Sequence, residues 1–205
     1  MNRKRWHDLM TRLGLEEAQQ TFESLEAAYS ENHRYYHTEV HVDACLELLD
    51  SVKASVAGFD DAEIAIWFHD AIYRVGSATN EADSADWAEE FMTESKLDAS
   101  RIERVREIIL ATAHGDEPKS DEARLVVDID LAILGAGEDV YDEYSSGIRS
   151  EHRTVPEEVF VRERGRVLKP FLDRPRIYLT QHFHDMFEEQ ARRNLRREIE
   201  AGGTQ

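Results

Sequence analysis

Proline and glycine are scarce in this chain, 4 and 10 among 205 residues, and between them apolar side chains recur mostly at three- and four-residue spacing. A strand would alternate every second residue, so this spacing predicts helices with short connections and an all-α fold. Helices are expected over 15–29, 38–55, 60–70, 81–95 behind an Asn80 cap, 122–134 ending at Gly135, and 177–200. Another is expected after Ser100, with Ile102, Val105, Ile109 and Thr112 facing inward, and one more opens near Pro156. Asp60-Asp-Ala-Glu63 and Ser100-Arg-Ile-Glu103 read as helix starts, an oxygen-bearing cap followed three residues later by glutamate. Pro170 and Pro175 are expected to bracket the break before the last helix, and 75–79 and 114–119 to be loops that each follow a histidine-bearing helix. No repeat, low-complexity tract or change of composition marks a boundary, which predicts a single domain over 1–205.

Charge and apolar runs narrow the function classes. With 43 acidic against 25 basic residues the formal net charge is −18, which excludes a nucleic-acid binder, and so a duplex partner, built on a basic face. The longest apolar stretches, Ile64–Phe68 and Leu131–Leu134, fall far below the roughly 18 residues of a membrane span. Arg3, Lys4 and Arg5 are followed by Trp6, His7 and Asp8 and not by an apolar core, so no secretory signal is expected. Cys45 is the single cysteine, which suits a reducing compartment. Together these predict a cytoplasmic protein without a membrane partner.

The nine histidines are where chemistry is sought, because neutral imidazole and carboxylate are the usual ligands of divalent cations. His-Asp occurs three times, at His7-Asp8, His69-Asp70 and His184-Asp185. The first lies in a charged terminus and the last in a polar stretch, where solvated side chains are the simpler account. His69-Asp70 closes the apolar run Ile64-Ala-Ile-Trp-Phe68, where a polar pair must be compensated, either by a cation or by local hydrogen bonds at a helix end. In Tyr36-His37-Thr-Glu-Val-His41 the two histidines are four apart; they share a face if the segment is helical, and the same spacing equally suits one histidine at a helix entrance and one as a ligand a turn deeper. Asp128 and Asp130 interrupt the apolar run Val126-Val-Asp-Ile-Asp-Leu134. Asp130 has apolar neighbours one turn away and is expected to point inward as a ligand, ahead of Asp128, which has Arg124 one turn back. The two lie about 200° apart around a helix, so a regular helix aims only one of them at an ion.

The order of these motifs resembles the HD-domain superfamily of metal-dependent phosphohydrolases over residues 34–134. The resemblance implies a helical HD-like bundle, with further helices over 138–200 packed on the metal-site core. It also implies a ligand set His41, His69, Asp70 and Asp130 or Asp128. Tyr36-His37-Thr-Glu-Val-His41 is also similar to the Tyr-His-x-x-x-His signature of cyclic nucleotide phosphodiesterases in that superfamily, which implies that His41 binds the metal and His37 protonates the leaving group. Arg34-Tyr-Tyr-His37, Ala65-Ile-Trp-Phe-His-Asp70, Asn80-Glu81, Asp128-Ile-Asp-Leu-Ala-Ile-Leu-Gly135, Ile148-Arg149 and Ala191-Arg-Arg-Asn-Leu195 together resemble a bacterial family of predicted HD-superfamily phosphohydrolases, nearly end to end.

On that footing the expected activity is hydrolysis of a phosphate ester or anhydride on a small molecule, a nucleotide by preference, with a divalent cation (Mn, Mg, Co, Zn or Fe). Arg34 is the expected phosphate clamp. His114 is the expected phosphate ligand or second-metal ligand, and Glu81 a further acid near the site. Two other readings stand beside this one: a nucleotide-binding module of the same fold without turnover, and a di-iron oxygenase.

Overall fold

A computed structural model describes residues 1–202 other than 17 and 116, and residue 55 in its backbone alone. Among these residues are ten α-helices and no strand: α1 (Arg3–Arg12), α2 (Gln19–Tyr29), α3 (Glu39–Ser51), α4 (Phe59–Phe68), α5 (Asn80–Glu94), α6 (Ala99–Ala111), α7 (Asp121–Asp130), α8 (Glu138–Glu151), α9 (Glu157–Asp173) and α10 (Gln181–Gly202). Short 3-10 turns over Lys53–Ser55 and Leu131–Gly135 follow α3 and α7. The fold is all-α. The helices gather into two compact units, Met1–Val127 and Asp128–Gln205, with the division inside α7.

In the first unit every residue of α4 except Asp60 is buried, so α4 is its central helix, and α1, α3, α5 and α6 pack against it. Trp6 of α1 meets Trp67 edge-on at 5.4 Å between ring centroids and lies 5.7 Å from Phe91, while Phe68 stacks on Phe91 at 5.6 Å. Burying each such side chain contributes about 1.5–3 kcal/mol. Two acids of α4 are buried with the aromatics and carry charge partners. Asp61 meets Arg101 at 2.9 Å and Arg104 at 2.8 Å, and Glu63 meets Arg5 at 2.8 Å and Arg12.

Several expected helix ends differ from the observed ones, each for a local reason. The expected helix 15–29 is α2 from Gln19; α1 precedes it, and the chain turns between them where Gly14 takes φ +69°, a conformation costly for any residue with a Cβ. α4 starts after Gly58, and Glu63 pairs with arginines instead of closing a capping box. At α6 the cap is Asp98, whose carboxylate accepts from Ser100 N at 2.9 Å. Asn80 is the first residue of α5, and its side chain accepts from Arg74 N and donates to Arg74 O, both at 3.0 Å. With Ser84 Oγ accepting from Ile72 N at 3.0 Å, this fastens the loop that follows His69-Asp70. The expected loop 114–119 includes residue 116, which lies outside the described residues.

In the second unit the 3-10 turn Leu131–Gly135 packs against α8 and α10, and α9 packs on α10. A Cβ on Gly135 would sit 2.5 Å from Phe187 Cβ and 2.8 Å from Phe187 O, so only glycine lets α10 approach so closely. Asn194 Nδ2 donates to Leu134 O and Ala136 O, both at 2.9 Å. Pro170 lies inside α9 and does not end it. It sits on an exposed side of the helix, where the carbonyl four residues back, which the missing N–H cannot serve, is not sealed in the core.

Candidate metal centre

Three helix termini bring the ligands together. His41 lies in the first turn of α3, His69 is the C-cap of α4 with Asp70 next to it, and Asp130 is the last residue of α7. These four residues each offer one ligand atom, and all four atoms lie within 4.8 Å of one another. The first two are buried, His41 at 6% exposure and His69 at 2%.

Hydrogen bonds set the imidazole tautomer. His69 Nδ1 is 2.9 Å from Ile66 O, and a carbonyl only accepts, so the proton sits on Nδ1 and leaves a lone pair on Nε2. His41 Nδ1 is 3.0 Å from the Tyr36 hydroxyl, which orients the ring and turns Nε2 toward His69. The two Nε2 atoms are 3.1 Å apart, and Asp70 Oδ2 lies 3.1 Å from His69 Nε2 and 3.6 Å from His41 Nε2. Nitrogen and oxygen ligands held about 2.0–2.2 Å from one ion are themselves roughly 3–3.5 Å apart, so the spacing of His41, His69 and Asp70 suits a divalent cation, with an Asp130 oxygen within 4.8 Å of them. Burial works to raise the Asp70 pKa, but His69, His37 and His41 act against it and hold the carboxyl well below the ordinary range. It is a carboxylate across the neutral range.

His37 is not helical. It lies in the bend before α3, whose N-cap is Thr38, so of the two arrangements the four-residue spacing allows, a shared helix face or a histidine at the helix entrance, the second is the one observed. The bend nonetheless puts its ring 6.2 Å from that of His41, and it stacks on Tyr73 at 4.2 Å. Electrostatic attraction links it to Asp70.

Arg34, expected as a phosphate clamp, is a buried strap. Its side chain is 0% exposed, Nε donates to Glu31 at 3.0 Å, Nη1 to His37 O at 3.2 Å and Asp70 O at 2.6 Å, and Nη2 to Ala71 O at 3.0 Å. A guanidinium so engaged does not present a fork to a substrate. His114 follows the end of α6 with φ +57° and is outside the group of four, as is Glu81 in the first turn of α5. His7 is exposed and His184 half-buried beside exposed Asp185.

The two aspartates of α7 point different ways, as a regular helix requires, but their burial is the reverse of expectation. Asp128 is 0% exposed, whereas Asp130 is half-buried. Asp128 does not pair with Arg124, which meets Asp121 at 3.2 Å; its carboxylate accepts from Leu179 N and Thr180 N, both at 2.7 Å, and from Thr180 Oγ1 at 2.6 Å. It holds the chain entering α10 and takes no place among the ligand atoms. Burial raises its pKa although these donors pull the other way. Asp128→Ala strands three donors and should lower stability by about 3 kcal/mol, read as a shift of the urea midpoint. Asp128→Asn, which keeps one accepting oxygen, should lose less.

Sequence reasoning missed two neighbours of His41. Tyr36 reads in the sequence as part of a motif and not as the group that orients His41. Cys45, with Sγ 3.7 Å from His41 Nδ1, lies one helical turn on, and that spacing could have found it. No protein-family model, curated protein or solved structure matches the chain.

Proposed function

We propose that the chain is a metal-dependent phosphohydrolase acting on a small phosphorylated molecule, with nucleotides as the preferred class. The observation that carries this reading is the convergence of His41, His69, Asp70 and Asp130 within 4.8 Å, beside a histidine, His37, that takes a different position. The resemblance of the motifs carrying these residues to HD-domain phosphohydrolases supports the same reading. His41, His69, Asp70 and Asp130 would hold a divalent cation, whose chemistry when bound is to polarise a phosphoryl oxygen and lower the pKa of water.

The protein's own residues account for the remainder. Tyr36 fixes the His41 ring and Ile66 O fixes the His69 tautomer, so both nitrogens face inward before anything binds. His37 lies close to the ligands, its ring 6.2 Å from that of His41, and a protonated imidazole there would be a general acid. In the overall hydrolysis a water oxygen joins phosphorus and gives up a proton to solvent, the bond from phosphorus to the leaving oxygen breaks, that oxygen takes its proton from His37, and His37 recovers one from solvent. Stacking on Tyr73 limits the directions in which the His37 ring can deliver it.

The test is metal-stripped protein resupplied with Mn²⁺, Mg²⁺, Co²⁺, Zn²⁺ or Fe²⁺ and assayed against mono-, di- and triphosphates, cyclic nucleotides and p-nitrophenyl phosphates. Release of product that requires metal and is stopped by EDTA is the expected result. Metal and nucleotide binding without turnover would favour the non-catalytic module. Two bound irons with a visible chromophore would favour the oxygenase.

A further inference from the structure

We infer that Arg34 is a positioning residue that fixes His37 against Asp70, so that the proton donor and the metal ligand keep one separation. The inference rests on the proposed role of His37 as proton donor. One nitrogen, Nη1, bridges the peptide carbonyls of the two residues, at 3.2 Å to His37 O and 2.6 Å to Asp70 O. Nη2 adds Ala71 O at 3.0 Å, and Nε takes Glu31 at 3.0 Å. His37 needs such a tie because it sits in a bend before the first turn of α3, without the hydrogen-bond ladder that holds helical residues. Asp70, in contrast, follows α4 directly.

The guanidinium also organises the ring that His37 stacks on. Arg34 lies 5.2 Å from the centroid of Tyr29 and 5.5 Å from that of Tyr73. Tyr29 is anchored by its hydroxyl, which donates to Trp67 O at 3.1 Å in α4. Tyr73 in turn stacks on His37 at 4.2 Å. Arg34 thus holds His37 twice, by its carbonyl and through the ring beneath it. Only a planar cation with several donors in fixed directions makes these contacts together, and an ammonium does not replace it. A cation buried largely against neutral carbonyls is a costly way to tie a loop, which accords with a requirement for geometry beyond packing.

Arg34→Met keeps the stem and removes every donor; Arg34→Lys keeps the charge and serves if the methionine variant does not fold. In metal-free protein the ring-proton shifts that His37 owes to stacking on Tyr73 should be lost in Arg34→Met, while Mn²⁺ affinity by titration calorimetry stays within ~10-fold of the parent. With an alkyl phosphate kcat should fall by roughly 10²-fold, as for a small misplacement of a reacting group, with KM little changed. With a p-nitrophenyl ester, which needs little protonation, the loss should shrink. In a His37→Ala background Arg34→Met should cost nothing more, because the residue it positions is gone. Unchanged His37 shifts, equal losses on both leaving groups, or an additive loss in the double variant would each overturn the inference. If instead the parent shows no turnover, or His37→Ala is as active as the parent, the proton-donor reading fails, while the shifts still decide whether Arg34 holds the ring.

Discussion

His69→Ala should leave a folded chain that no longer retains a divalent cation or hydrolyses phosphate esters. His69 Nε2 lies at the centre of the cluster, 3.1 Å from both His41 Nε2 and Asp70 Oδ2. Its removal takes a nitrogen donor away and leaves Asp70 without the imidazole that contributes most to its low pKa. The loss of affinity should exceed the ~10–100-fold that removal of an outer partner costs, and turnover should fall below detection. Asp70→Ala should behave alike. His184→Ala and Asp185→Ala, the same dipeptide on an exposed part of α10, should change neither quantity. The measurement is metal content after dialysis, followed by calorimetric titration with Mn²⁺ or Zn²⁺. Equal losses from both pairs, or full metal retention by His69→Ala, would assign the chemistry elsewhere.

His37→Ala should separate binding from turnover. The residue stands outside the four ligands, so metal content is expected to match the parent, while kcat drops by roughly 10²–10⁴-fold if it serves wholly as general acid. The drop should be steepest for alkyl esters and shallow for p-nitrophenyl esters, whose leaving oxygen is stable without a proton. Loss of metal from this variant would move His37 into the ligand shell.

The fold class is legible in the sequence, and so is the His69-Asp70 candidate, because both depend on short-range rules. Scarce proline and three- and four-residue spacing specify helices whatever they pack against. A His-Asp pair at the end of an apolar helix must meet compensation wherever that helix is buried. The opposite directions of Asp128 and Asp130 follow from helix geometry alone.

What the sequence could not determine was which aspartate would be the deeper one, since that depends on the partner each meets across the fold. Asp128 meets the peptide N–H groups of Leu179 and Thr180, more than fifty positions on, and no local pattern encodes the encounter. Arg34 reads as a phosphate clamp or a surface ion pair until the carbonyls of Asp70 and Ala71 are brought to it. The spacing of His37 and His41 leaves open whether His37 is helical, because four residues separate them alike in a helix and in a bend that returns two rings to one place. Helix type and face are properties of neighbouring residues. The use of a buried charge is a property of whatever distant backbone needs a donor, and only tertiary structure supplies that.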